Sequence, residues 1–231
     1  MSYTRSSRAG EVVPPRIKAW SFSRLKDWTQ CPFKIKCSAI DRLPQPETPQ
    51  MLGGKRVHKA AEDYIKGVRK DVDPALKHFA NDLQQMRCAG AMAEVQVAFA
   101  EDLQPANWFG SNAWLRVIYD VFIANDDASC YVGDWKSGKQ RPEDKEQLEL
   151  FALSVFLSFA EVKTVHTELL YTTTGATLPQ TFERQELDDL KAKWFGKAAP
   201  MLADTEFLPR PNGLCGWCHY RKSNGGPCIH S

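Results

Sequence analysis

The sequence predicts an α/β or α+β domain built around a central mixed β-sheet. Three observations carry this. Period-two alternation of apolar and polar residues recurs over 93–99, 112–124, 129–136 and 162–173, which marks strands. Apolar residues at helical spacing mark helices before, between and after those segments. The resulting order is helices, a β-meander, a helix, further strands and a last helix, which layers helices on a sheet.

Taken in order, residues 1–20 are polar, carry Pro14-Pro15, and are expected to form a loosely ordered tail. Ser21 or Ser23 can cap a first helix with Leu25, Trp28 and Phe33 as its apolar stripe, broken or kinked at Cys31-Pro32. The segment 43–50 holds three prolines and predicts a loop. Helices are predicted over 53–68 and 74–87. In 93–99, Val95, Val97 and Phe99 share a face. The runs 112–124 and 129–136 form a hairpin turning at Asn125-Asp126-Asp127. Pro142 opens an apolar helix over 143–160 with Leu148, Phe151, Ala152, Val155 and Phe156. A strand over 162–173 turns at Gly175 and pairs with 181–185, and a helix follows at 186–202. The core therefore spans 21–207, followed by a loop-like segment, 208–231, that carries three cysteines.

The chain has 231 residues, 43% of them hydrophobic, with 30 Lys and Arg against 28 Asp and Glu. That composition supports one packed domain and excludes a chain that is a disordered tail as a whole, a collagen-like chain or a strongly basic nucleic-acid coat. No apolar run reaches the roughly 18 residues of a membrane helix, and the N-terminus shows no signal-peptide core. An intracellular, cytoplasmic protein with no membrane partner is expected. Seven cysteines, an odd number, point to metal or redox use rather than a disulfide framework.

The sharpest local pattern is Gly133-Asp134-Trp135-Lys136 at the end of a predicted strand. Asp134 and Lys136 share one face and Trp135 takes the other. Asp120, in the preceding strand, would lie across the hairpin from Asp134. Two carboxylates sharing a cation call for a hard metal such as Mg²⁺ or Mn²⁺, which could activate water beside a phosphoryl group. A surface salt bridge is the plain alternative reading. His58 precedes Glu62 by one helical turn, so the two share a face, with Gly53-Gly54 just upstream. GGKRVH lacks the ending of a phosphate-binding P-loop. Gln147 stands one turn before Phe151 on the helix after the Asp-x-Lys strand.

Cys215 and Cys218 form a C-x-x-C pair, and Cys228 follows. Cys31 is the best fourth thiol and would tie the two chain ends together. Four thiolates suit zinc or an iron–sulfur cluster, with His219 and His230 as rival zinc ligands. Cys37, Cys88 and Cys130 read as small apolar fillers.

Together these pieces resemble the RecB-type, AddB-like exonuclease branch of the PD-(D/E)XK nuclease superfamily that carries an iron–sulfur cluster, a group that includes CRISPR-associated exonucleases. The resemblance rests on Ser21-Phe22-Ser23-Arg24-Leu25, Cys31-Pro32-Phe33, Gly54, His58, Asp120, Asp134-Trp135-Lys136, Gln147 and the three C-terminal cysteines, in that order. It implies a restriction-endonuclease-like core and metal-dependent cleavage of DNA, with no covalent intermediate. Asp120, Asp134, His58 and the Trp135 carbonyl would bind Mg²⁺ or Mn²⁺, and Lys136 would position the attacking water. Gln147 would match the glutamine of a Q-x-x-x-Y motif, with Phe151 where the family has tyrosine. Glu94 would be a supporting acid. Cys31, Cys215, Cys218 and Cys228 would hold a [4Fe–4S] cluster, with Zn²⁺ as the alternative. The implied partner is DNA, single-stranded or at its ends. The enzyme would act alone, as a homo-oligomer or within a DNA-processing complex for recombination or repair. The rival class is a non-catalytic DNA-binding module held by a metal knuckle.

A net charge of only +2 requires local basic clusters for binding a polyanion. Lys55, Arg56 and Lys59 flank His58, while Lys139, Arg141 and Lys145 follow Lys136; Lys34 and Lys36 follow Cys31. These suit phosphate tracking rather than base reading. Trp108, Phe109 and Trp114 are either stacking platforms for bases or core residues.

Overall fold

The computed structural model describes residues 14–125 and 128–230. Helices α1 (Phe22–Gln30), α2 (Pro32–Ile35), α3 (Pro49–Ile65) and α4 (Ala80–Cys88) precede the sheet, while α5 (Asp144–Ser158) and α6 (Leu187–Ala203) lie within and after it. The strands β1 (Met92–Phe99), β2 (Leu115–Ala124) and β3 (Ser129–Lys136) form an antiparallel meander. Next, β4 (Thr164–Tyr171) runs parallel to β3, and β5 (Ala176–Glu183) antiparallel to β4, in the simple order β1-β2-β3-β4-β5. The single parallel pairing needs a crossover, and α5 supplies it. No described helix is long and apolar enough to cross a membrane.

Two cores cover the two faces of the sheet. On one, Val57, Ala61, Leu76, Phe79 and Leu83 pack under Val121, Trp135 and Leu170. On the other, α1, α5 and α6 pack on Tyr119, Phe122, Val132 and Leu169. Helix α5 is buried nearly all round, from Leu148 through Phe156, because it lies between the sheet and α6.

Several boundaries differ from the sequence expectation for identifiable reasons. Residues 17–20 do not belong to a loose tail: Ile17, Ala19 and Trp20 are buried, and Trp20 bridges to Leu115. The earlier part of that tail, 1–13, lies outside the described residues, as do Asp126 and Asp127 of the anticipated turn. Helix α3 starts inside the proline loop, because Thr48 accepts a hydrogen bond from the Met51 N–H at 3.2 Å and Pro49 fits the first helical position. Strand β5 begins at Ala176 and includes Pro179, which an edge strand tolerates.

Candidate active site

The site forms where the sheet opens. Strands β2 and β3 pair up to Val121–Gly133. The next residues in that register are Asp120 and Asp134, but from there β3 follows β4 while β2 follows β1. The Trp135 N–H, released from the β2 ladder, donates to Asp120 Oδ2 at 2.8 Å. Asp120 thus closes the end of the ladder with its side chain, and both acids remain buried.

A second irregularity sits beside it. Glu94 lies opposite Asp120 in the β1–β2 register, and this pair is skipped by the ladder. Its φ is +57°, a left-handed conformation that costs a non-glycine residue roughly 1–2 kcal/mol. Ala93 faces the α3 side of the sheet and Val95 the α5 side, so the strand changes face at Glu94. The outcome is a cluster: one ligand atom each from His58, Glu94 and Asp120 lies within 4.8 Å of the others.

His58 projects from α3, and its Nδ1 lies 3.0 Å from Asp120 Oδ2. Burial disfavours the charged imidazole, but the Asp120 hydrogen bond and the charges of Asp120 and Asp134 outweigh it, so the His58 pKa is raised. Burial, then the Asp120 charge, raises the Glu94 pKa as well. Helix α3 passes close to the loop after β3, where a Cβ at Gly54 would meet Ser137 Oγ at 3.2 Å.

Asp134 forms the other half of the site. Its carboxyl is pushed up to about 6, chiefly by burial and further by Asp120, with Lys136 opposing. Lys136 Nζ is 2.6 Å from Asp134 Oδ2 and donates to Gln147 Oε1 at 2.7 Å. Gln147, from the first turns of α5, returns a hydrogen bond from Nε2 to Asp134 Oδ1 at 3.0 Å. The acid, lysine and amide close a ring of contacts across two elements. Asp134 Oδ2 is buried and faces the ammonium as an ion pair without hydrogen-bond geometry, so it keeps acceptor capacity for a cation.

All of these groups open on one cavity of about 1040 Å³. Lys55, Lys59, Lys139 and Arg141 line it, but Arg56 does not: it is held by Asp73 at 3.0 Å. Lys59 is paired with Glu62 and Asp63, and Lys55 with Glu47. Phe151 is 2% exposed and meets the Tyr119 ring edge-on at 5.7 Å, so it acts mainly as a core residue. Trp114 is likewise packing, against Trp20 and Phe195. Trp108 lines the cavity, and Phe109 is 85% exposed. Asp144, which the sequence did not single out, is buried at the cavity edge and accepts from Tyr171 Oη at 2.7 Å.

Cys31 caps the far end of α1, and the C-terminal loop that carries Cys215, Cys218 and Cys228 docks against it. All seven cysteines are free thiols. The Arg210 N–H donates to Cys31 Sγ at 3.5 Å, and the Asn212 N–H to Cys215 Sγ at 3.3 Å. Asn212 Nδ2 donates to the Gln30 carbonyl at 3.1 Å, and Arg210 reaches the Thr29 carbonyl. These contacts fasten the C-terminal loop to the end of α1. Cys228 pairs with Arg221 through an isolated bridge, and its N–H donates to the Tyr220 carbonyl at 3.0 Å. Cys37 and Cys130 are buried as expected, but Cys88 is exposed and fills no core.

The fold and the site define an α/β core with an acidic, lysine-bearing cleft where its sheet opens. The family model of the PD-(D/E)XK nuclease superfamily matches residues 19–223, and the chain belongs to that superfamily. In fold it is similar to a protein described as "Putative exonuclease" from Eubacterium rectale, with a TM-score of 0.55, 12% identity and 88% of each chain covered. Another similar structure is that of SSO0001, with a TM-score of 0.45, 15% identity, and 90% of this chain and 87% of that one covered. No curated protein matches the chain by sequence.

Proposed function

We propose that this nuclease is a metal-dependent DNA exonuclease acting on single strands or DNA ends. The observation that carries the reading is the convergence of His58, Glu94, Asp120, Asp134, Lys136 and Gln147 on one cavity. An imidazole and hard carboxylate oxygens suit Mg²⁺ or Mn²⁺. In this reading His58, Glu94, Asp120, Asp134 and the Trp135 carbonyl hold the cation. A divalent cation held there supplies Lewis-acid activation of water and neutralises phosphoryl charge. Lys136 places an ammonium where negative charge grows in the transition state, and Gln147 fixes its direction. Asp120 orients His58 and receives the Trp135 N–H, so a single carboxylate sets two elements of the site. Lys55, Lys59, Lys139 and Arg141 guide the phosphate backbone along the cavity.

Cys31, Cys215, Cys218 and Cys228 are assigned in this reading to a [4Fe–4S] cluster that clamps the C-terminal loop to α1. The N–H donors aimed at Cys31 and Cys215 suit thiolates, and zinc is the alternative occupant. In this reading the protein works inside the cell, in DNA recombination or repair.

Digestion of 5′- and 3′-labelled single-stranded DNA with Mn²⁺ tests the activity. Stepwise shortening from one end supports an exonuclease. Tight binding without any product would favour a non-catalytic DNA-binding module.

A further inference from the structure

Several charged side chains around the cleft have partners of opposite sign. Arg56 and Arg69 share Asp73, Lys26 meets Glu143, and Lys59 meets Glu62 and Asp63. Away from the cleft, Arg184, with no carboxylate among the described residues, donates to the carbonyls of Phe156, Phe159 and Val162. Four basic side chains lining the cavity have no acidic partner among the described residues; Lys139 and Arg141 are exposed, whereas two arginines are half-buried. Arg24, from the first turn of α1, has Nη1 on the Ala19 carbonyl at 2.7 Å and no acid among the described residues. Arg116, near the start of β2, has a buried Nε with no hydrogen-bond partner among the described residues.

The backbone holds the two side by side. Trp20 bridges the start of β2, with the Arg116 N–H on the Trp20 carbonyl at 2.9 Å, one residue from the carbonyl that Arg24 grips. Burial, and then the Arg116 charge, lowers the Arg24 pKa, as expected of two half-buried cations crowded together. The Arg116 guanidinium also lies over the Trp108 ring, 5.7 Å from its centroid. Like charges near each other in a cleft repel, and a buried N–H without an acceptor is costly. An anion seated between them relieves the repulsion.

We propose that Arg24 and Arg116, backed by Trp108, form a seat for a backbone phosphate of the nucleic acid away from the bond being cut. Arg116 stands four residues before Asp120 on β2, about 13 Å along the strand, so this phosphate is not the scissile one. The seat would hold the strand in register while its end lies in the acidic site. This extends the nuclease reading of the same cavity.

The test is binding of a fluorescent single-stranded oligonucleotide in EDTA over a salt series, for wild type, Arg24→Gln and Arg116→Gln. Each variant should bind roughly tenfold more weakly, as loss of a charge-assisted hydrogen bond would give. Each should also flatten the log–log salt slope by about 0.7, as expected for one lost phosphate contact on a single strand. Inorganic phosphate should raise the melting temperature of wild type more than that of Arg116→Gln. A purely structural role would leave slope and phosphate response unchanged. Unaltered affinity and slope in both folded variants, or no binding by wild type, would overturn the seat. Should a variant not fold, the seat stands or falls on whether phosphate stabilises wild type. Binding without cleavage by wild type would refute the nuclease reading and leave the seat intact.

Discussion

Replacing Lys136 with methionine separates the energetic and chemical roles of the Asp134–Lys136 pair. Asp134 is buried, and its carboxyl stands near 6 even with the ammonium 2.6 Å away. Without Lys136 the carboxylate would lose its compensating charge, and its pKa would climb further. The carboxyl escapes that penalty by taking up a proton, which bounds the cost. Each pH unit between 6 and the working pH is worth about 1.4 kcal/mol, so at pH 7 the part carried by Asp134 is at most about 1.4 kcal/mol. Loss of the Lys136–Gln147 hydrogen bond adds about 1 kcal/mol. The sign follows from linkage. A carboxyl whose folded pKa is raised contributes stability below its unfolded value and loses it as pH rises through the folded value. In wild type that loss stops near pH 6, whereas in Lys136→Met it continues upward. Chemical denaturation in EDTA should therefore show the gap between the two proteins widening from pH 5.5 to 7.5, by up to about 2 kcal/mol. Cleavage should fall roughly a hundredfold or more, as expected when a preorganised donor to transition-state charge is removed. A stability gap that does not change with pH, or a variant that cleaves at wild-type rate, would refute this reasoning.

Three further outcomes are expected. Glu94→Gly should relieve the left-handed strain and raise the melting temperature in EDTA by about 2–4 °C, while weakening Mn²⁺ binding measured by calorimetry. Apparent Mn²⁺ affinity of wild type should decline as pH falls through the raised range of His58 and further through about 6, where Asp134 takes up a proton, because both must shed protons to act as ligands. Protein purified anaerobically should be brown, with absorption near roughly 400 nm that Cys31→Ser or Cys215→Ser abolishes; colourless protein with bound zinc would replace the cluster with a zinc site.

The strands and helices were legible because their burial follows simple periods, and Asp134 and Lys136 share a face by strand alternation alone. The partners of a pattern are harder to read than the pattern itself, and Glu94 illustrates why. It lies on the opposite parity from Val95, Val97 and Phe99, in line with the polar Gln96, but only a backbone turned to positive φ brings it to His58 and Asp120. Arg56 looked like a neighbour of His58 in sequence, yet an ion pair with Asp73 draws it away. Phe151 shares a face with Gln147, but α5 is covered on nearly every side, so position on the helix did not decide exposure. Pro49 marked a helix start rather than a loop because Thr48 was there to cap it. Local chemistry was visible in each case; what was missing was the tertiary contact that selected among its uses.

The most direct measurement of the central claim compares wild type with Asp134→Asn on end-labelled single-stranded DNA in Mn²⁺. Asparagine keeps the shape of the side chain and removes the charge, and circular dichroism can verify that the variant is folded. Metal-dependent cleavage by wild type and none above background by the variant are expected. Equal cleavage by the two folded proteins would contradict the central claim.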